Sequence, residues 1–290
     1  MYRCSMNVKK KALITDLDNT LFDWFSFWYA SFSEMLKEVS RISGISISEL
    51  LPEIKEINQR HGTSEYAFLL EEMPTLLKMY RSESRIREQM SPAIEAYRRA
   101  RDGELKLYPG VMDSLLRLKK SGVLLIGYTE SRCYYSAFRI KQLGLDGLLD
   151  RVYLPEDHHI PKNRESDLKN IPLLTRPYFT PAGCVKPNPE ILLDILKDAN
   201  LKPYDCVYIG DSEMKDIAMA KDAGVADVFA SYGALHFEDR VEDYGLLQKV
   251  SHWTDADVER EREIKKRGSV QPSWSVERFE DIFEIFNFSK

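Results

Sequence analysis

Residues 11–22 read Lys11-Ala12-Leu13-Ile14-Thr15-Asp16-Leu17-Asp18-Asn19-Thr20-Leu21-Phe22. A short apolar run bounded by polar residues is the pattern of a buried strand, and this one ends on two carboxylates. Asp16 and Asp18 are two apart, so on an extended backbone they share a face. Two anions that close repel unless one takes a proton or a cation lies between them. Ligands of open parallel sheets bind at the carboxyl ends of the strands, which makes this placement chemical. An Asp-rich turn or helix cap would look the same in isolation, so the rest of the chain has to decide.

Downstream, Phe22 to Val39 passes from an aromatic-rich start into an amphipathic helical pattern that Gly44 stops. From Ser46 to about Arg101 apolar residues keep helical spacing: Leu50, Leu51, Ile54 and Ile57; then Phe68, Leu69, Leu76, Leu77 and Tyr80; then Ile86, Met90, Ile94 and Tyr97. This predicts a helical module, residues 23–107, inserted after the first strand.

Strands and helices alternate again from Tyr108-Pro109-Gly110. A helix over Val111–Lys120 leads to a second strand, Val123–Thr129, and Ser131 is placed to cap the helix that ends at Gly144. Arg151–Leu154 reads as a third strand. Residues 155–181 hold Pro155, Pro161, Pro172, Pro177 and Pro181 without a sustained period, and read as a long loop. His158 and His159 in it have no flanking Cys or His partners and are expected at the surface rather than on a metal. Asn188, Pro189 and Glu190 mark a helix start. Cys206–Ile209 is a fourth strand running into Gly210-Asp211-Ser212 and a helix to Gly224, and Ala226–Ala230 is a fifth. In the tail, Asp255–Arg267 is expected to be an exposed helix. Trp274, Phe279, Ile282, Phe283 and Phe286 suggest a last amphipathic helix docked on the sheet.

This order implies an α/β fold with a parallel, doubly wound sheet and right-handed crossovers. The expected core comprises residues 1–22 and 108–290, including the loop 155–181 and a C-terminal extension 232–290. The 290 residues, 43% hydrophobic and 30% charged, are ordinary globular composition with ample length for a core. A net charge of −5 with dispersed basic residues gives no footprint for nucleic acid or an anionic membrane. Cys4, Cys133, Cys184 and Cys206 lack paired metal-ligand spacing, which suits reduced thiols in a cytosolic compartment. Residues 1–11 contain no apolar signal region and no run reaches membrane-spanning length, so a soluble, cytoplasmic protein is expected.

Three further signals fall at strand ends or helix starts. Thr129 ends the second strand, Lys186 precedes a helix, and Asp211 with Asp216 follows the fourth strand. Singly they read as a cap, a solvated lysine and a turn. In this order they fall where one site at the strand ends would require them.

Asp16-Leu17-Asp18-Asn19-Thr20 resembles motif one, Asp-x-Asp-x-Thr, of the haloacid dehalogenase-like (HAD) superfamily. Thr129 is similar to its second motif, a Thr or Ser after an apolar strand. Lys186 in Val185-Lys186-Pro187-Asn188-Pro189 matches the third, and Gly210-Asp211 with Asp216 the fourth. The similarity covers Ala12 to roughly Ser231, and residues 23–107 look like the family's C1 cap. The resemblance implies a Rossmann-like parallel core with an inserted α-helical C1 cap that closes over the site.

It also implies a Mg²⁺-dependent phosphomonoester hydrolase acting on a small phosphorylated metabolite. Phosphate monoesters are among the slowest substrates to hydrolyse, with accelerations up to about 10²¹-fold, so charge must be neutralised while a nucleophile is supplied. By resemblance Asp16 attacks phosphorus and forms an aspartyl-phosphate, dividing one hard step in two. Mg²⁺ would be held by the Asp16 side chain, the Asp18 backbone carbonyl and the Asp211 side chain. Thr129, Glu130 and Lys186 would bind phosphate, Asp18 would serve as general acid and base, and Asp216, behind the metal ligands, would orient metal-bound water or Lys186.

Many relatives carry Asn where this chain has Glu130, a carboxylate that beside a phosphate must point away or meet a positive group: it either faces solvent or caps the helix with Ser131, or it contacts a cationic or hydroxyl-rich part of the substrate. Dehalogenases of the superfamily use the same nucleophile without the second Asp or a metal, so Asp18 with Asp211 favours phosphate chemistry. A phosphoryl-transferring mutase and a non-catalytic phospholigand-binding protein remain alternatives, and the oligomeric state is left open.

Overall fold

The computed structural model describes residues 9–157, 172–235, 241–256, 259, 263 and 270–289. Among them lies a seven-stranded, all-parallel sheet of order β4-β3-β2-β1-β5-β6-β7. Its strands are β1 Ala12–Thr15, β2 Leu124–Tyr128, β3 Arg151–Leu154, β4 Arg176–Phe179, β5 Cys206–Gly210, β6 Ala226–Ala230 and β7 Trp274–Val276. The chain builds outward from β1 on one side through β4, then returns to place β5 on the other. That reversal opens a crevice at the carboxyl ends of the central strands, where such sheets bind ligands.

β1 and β5 are fully buried, and apolar but for Thr15 and the hydroxyl of Tyr208, as strands covered on both faces are. Ala12 pairs with Leu124 and Cys206, and Thr15 with Gly127 and Ile209, so β1, β2 and β5 end level with one another. Alternate residues Ala12, Ile14, Ile126, Tyr128, Cys206 and Tyr208 share one face and pack on Ile191, Leu192, Ile195, Met219 and Ala220. The last five come from helices Pro189–Asp198 and Ala218–Asp222. The first of these starts as its sequence signals, with the Asn188 side chain accepting the Ile191 N–H and Pro189 in the first turn.

Two strands depart from expectation, both at sheet edges. β4 lies inside the stretch read as a loop. Its Pro177 offers no N–H to a neighbour and its residues are mostly exposed, conditions that only an edge strand tolerates. β7 occupies part of the stretch read as one amphipathic helix. Phe279 and Ile282 instead belong to two short turns, Phe279–Asp281 and Ile282–Ile285, that bury both side chains. His158 and His159 and most of Asp255–Arg267 lie outside the described residues.

The chain divides into two compact units, one drawn from Met1–Asp23, Lys106–Leu235 and Lys265–Lys290, the other from Trp24–Leu105 and His236–Ile264. The second is helical. Helix Trp24–Ser43 buries Phe25, Trp28, Phe32, Met35, Leu36 and Val39, spaced three or four apart on one face. Helix Ile47–His61 begins at Ser46, whose side chain and that of Glu49 each accept the other's backbone N–H. Helix Val241–Val250 also belongs to this unit, although all of 232–290 was expected in the core. The buried Asn58 side chain donates to the Val250 carbonyl at 2.7 Å, Gln59 donates to that of Trp253 at 2.9 Å, and the Ser64 hydroxyl lies 3.0 Å from His252 Nδ1.

Candidate active site

The site grows from the ends of β1, β2 and β5. The Asp16 N–H still donates to the Ile209 carbonyl at 2.9 Å, so the sheet fixes this residue's backbone. The chain then reverses at Asn19, whose φ of 58° lies in the left-handed region that Asn tolerates better than most side chains. Tyr232 holds the turn from the far side, its hydroxyl donating to the Thr20 carbonyl at 2.7 Å.

β5 delivers Gly210 and Asp211, and a single wide turn, Glu213–Ile217, brings Asp216 back over the strand. The Asp216 side chain accepts the Ser212 N–H at 3.2 Å and the Tyr208 hydroxyl at 2.8 Å. Carboxylate oxygens of Asp16, Asp211 and Asp216 lie within 4.8 Å of one another. Lys186, 4% exposed, reaches this cluster with its ammonium 2.5 Å from Asp16 and 2.9 Å from Asp216, over the rings of Tyr128 and Tyr208.

Two buried carboxylates, Asp16 and Asp216, meet one ammonium, with the half-buried Asp211 carboxylate beside them. Burial first, and then the charges of Asp216 and Asp18, push Asp16 up to about 8 despite Lys186. Asp211 is driven well above the ordinary carboxylate range by burial and by Asp16 and Asp216. For Lys186, burial is outweighed by Asp16 and Asp216, and its affinity for a proton is raised. An all-oxygen, anionic donor set with uncompensated charge fits a small hard divalent cation such as Mg²⁺. The set includes Asp216 directly, where the sequence suggested a role behind the ligands. The Asp18 carboxylate is turned elsewhere.

That carboxylate faces the segment after β2. Its Oδ2 accepts the hydroxyls of Thr129 and Ser131, each at 2.8 Å, and its Oδ1 accepts Arg139 Nη1 at 3.0 Å. Ser131, expected as a helix cap, faces Asp18 instead, and the following helix Cys133–Gln142 receives the Asp157 carboxylate on its Tyr134 N–H at 2.9 Å. Glu130 accepts the Lys186 backbone N–H at 2.9 Å and the Lys215 ammonium at 2.7 Å. Burial raises its proton affinity, but Lys215 and Lys186 outweigh that and hold it below the usual range. Glu130 therefore clasps the loops carrying Thr129, Lys186 and Asp216 together, and the positive group it meets is Lys215 of this chain.

Arg139, Tyr208 and Gly233 were missed. Arg139 had a signal, since it interrupts the buried helical face of Ser136, Ala137 and Ile140 with a charge. Gly233 allows a close approach: a Cβ there would stand 1.9 Å from the Asn19 carbonyl oxygen and 2.9 Å from the Asp211 Cβ.

A family model described as haloacid dehalogenase-like hydrolase matches residues 10–224. The chain belongs to this family. It is 26% identical over 238 residues to the glyceraldehyde 3-phosphate phosphatase of Pyrococcus furiosus, covering 77% of this chain and 81% of that protein. To the protein of the same description from Methanopyrus kandleri it is 23% identical over 221 residues, covering 75% and 82%. Among solved structures, a 2-haloacid dehalogenase from Pseudomonas syringae superposes with a TM-score of 0.56 at 18% identity over 95% of this chain and 97% of that one. A HAD phosphatase from Thermococcus onnurineus does so with a TM-score of 0.50 at 18% identity over the same shares. The sheet is therefore the family's Rossmann-like fold, and the protein is a hydrolase of the phosphatase type. Among the described residues no helix is long and apolar enough to cross a membrane.

Proposed function

We propose that this protein is a Mg²⁺-dependent phosphomonoesterase for small phosphorylated metabolites, working through an aspartyl-phosphate on Asp16. The carrying observation is the trio Asp16, Asp211 and Asp216, with carboxylate oxygens within 4.8 Å of one another and the Lys186 ammonium bound to Asp16 and Asp216. Asp16, Asp211 and Asp216, with the Asp18 carbonyl by family resemblance, are the residues that would hold Mg²⁺. The ion would supply charge neutralisation toward the phosphoryl oxygens.

The protein's own groups account for the rest. Lys186 holds Asp16 in place and offsets negative charge as a phosphate dianion approaches. An Asp16 carboxylate oxygen bonds to phosphorus as the ester P–O bond breaks, and Asp18 gives the leaving oxygen its proton. Asp18 then takes a proton from water as the water oxygen bonds to phosphorus, which frees phosphate and restores Asp16. Thr129 supplies a hydroxyl for a phosphoryl oxygen.

Given the two glyceraldehyde 3-phosphate phosphatases among its relatives, we put triose phosphates first in a substrate panel. The free thiols of Cys133, Cys184 and Cys206 fit a reducing compartment, and we place the enzyme in the cytoplasm. The test is phosphate release from an aryl phosphate and from that panel, with and without Mg²⁺, in wild type and Asp16→Asn. Release that needs Mg²⁺ and vanishes in the variant is expected. Mg²⁺-independent release, or full activity in Asp16→Asn, would overturn the mechanism.

A further inference from the structure

The surroundings of Asp18 are more constrained than proton transfer alone requires. The Thr129 hydroxyl has a single hydrogen and gives it to Asp18 Oδ2, while its lone pair accepts the Ser131 N–H at 2.9 Å. It can donate to a phosphoryl oxygen only by letting Asp18 go. When phosphate arrives, two donors remain on Asp18: the Ser131 hydroxyl and Arg139.

Arg139 has little freedom to leave. It is 2% exposed, in the middle of helix Cys133–Gln142, with its guanidinium 6.0 Å from the Phe22 ring centre and 5.8 Å from that of Tyr135. The same Nη1 that meets Asp18 also lies 3.2 Å from the Ser131 hydroxyl, so one nitrogen orders both remaining partners. A buried guanidinium is retained where an anion meets it, and a planar fork fixes a carboxylate's orientation better than a point charge does.

We propose that Arg139 is a positioning residue for proton transfer. It anchors Asp18 Oδ1 while Thr129 passes its hydrogen bond from Asp18 to the incoming phosphoryl group, so that Asp18 keeps its orientation toward the leaving oxygen. The proposal rests on the phosphatase reading above and adds to it a residue outside the four family motifs.

The test compares two substrates. Glycerol phosphate has an alkoxide leaving group that needs a proton, and nitrophenyl phosphate has one that does not. First-turnover release of glycerol and of nitrophenolate is measured for wild type, Arg139→Met and Arg139→Lys, and for Arg139→Met combined with Asp18→Asn. In Arg139→Met, glycerol release is expected to fall by about a hundredfold, the lower end of what a positioned acid contributes, with nitrophenolate release at the wild-type rate. Arg139→Lys should give an intermediate ratio between the substrates. In the Asp18→Asn background, Arg139→Met should cause no further loss, because its effect acts through Asp18.

Equal losses on both substrates, or a further loss in the Asp18→Asn background, overturn the proposal while leaving the phosphatase reading intact. Wild-type protein that releases phosphate from neither substrate overturns both. Should Arg139→Met fail to fold, the substrate ratio is read on Arg139→Lys, where an unchanged ratio refutes the role.

Discussion

Gly210 lies so close under Asp216 that a Cβ at position 210 would stand 2.3 Å from the Asp216 carboxyl carbon. The strand end and the wide turn after it are fitted to each other through the missing side chain. Gly210→Ala must therefore displace Asp216 from Lys186, Tyr208 and the carboxylates of Asp16 and Asp211. The expected result is a loss of activity of about tenfold or more, the scale on which support around metal ligands matters, with the Mg²⁺ concentration for half-maximal activity shifted upward. Kinetics against Mg²⁺ for Gly210→Ala check this, and an unchanged Mg²⁺ profile would contradict it.

Asp16 gives the metal-free protein a pH dependence of defined sign. Its carboxyl is raised from 3.8 to about 8 by burial and by its anionic neighbours. The folded state therefore keeps a proton that the unfolded chain has already released. This contribution to stability is complete below about 3.8 and is lost as pH rises toward 8. Mg²⁺ competes with that proton, so its stabilising effect should grow over the same interval. Thermal denaturation between pH 5 and 9, in chelator and in Mg²⁺, should show two curves that separate as pH rises. Parallel curves would be the contrary result.

For Glu130 the expectation is a loss independent of the substrate. Glu130→Gln keeps an acceptor for the Lys186 N–H but removes the charge facing Lys215, a partly exposed pair whose contribution is about 1 kcal/mol or less. Activity should fall a few-fold and equally across a metabolite panel. Glu130→Leu leaves the Lys186 N–H without this acceptor, a change costing about 1–3 kcal/mol, and should reduce kcat more. A loss confined to particular substrates would mean that Glu130 touches them.

How much of this was legible in the sequence depended on the range of the interactions. β1, β2, β5 and β6 are buried runs whose apolar pattern is local, and the helix after Asn188 carries its own start signal. The six positions Asp16, Asp18, Thr129, Lys186, Asp211 and Asp216 stood out through their order at or just after strand ends and before a helix, and through their match to the four family motifs. β4 was hidden by Pro177 and by exposure, since an edge strand needs neither burial nor a full set of N–H donors. β7 was hidden because only three residues pair, and neighbouring Phe279 and Ile282 happen to sit at helical spacing. Ser131 and Arg139 meet Asp18 across 113 and 121 residues of chain, and no local pattern encodes such a partnership. The membership of helix Val241–Val250 in the helical unit is of the same kind.

The bond from Asn58 to Val250 spans 192 residues, and β1 pairs with β5, which begins at Cys206. Neither partnership can form on the ribosome until most of the chain has emerged. Closing such loops is slow, because chain entropy is lost before any contact compensates for it. Helix Trp24–Ser43 packs mainly on the early-made helix Ser91–Glu104, but its Phe25 ring also meets that of Tyr244 at 5.2 Å, a contact that only late-made residues supply, and apolar surface left exposed meanwhile favours aggregation. The helical unit is completed only by residues from His236–Ile264, more than a hundred positions beyond the insertion itself.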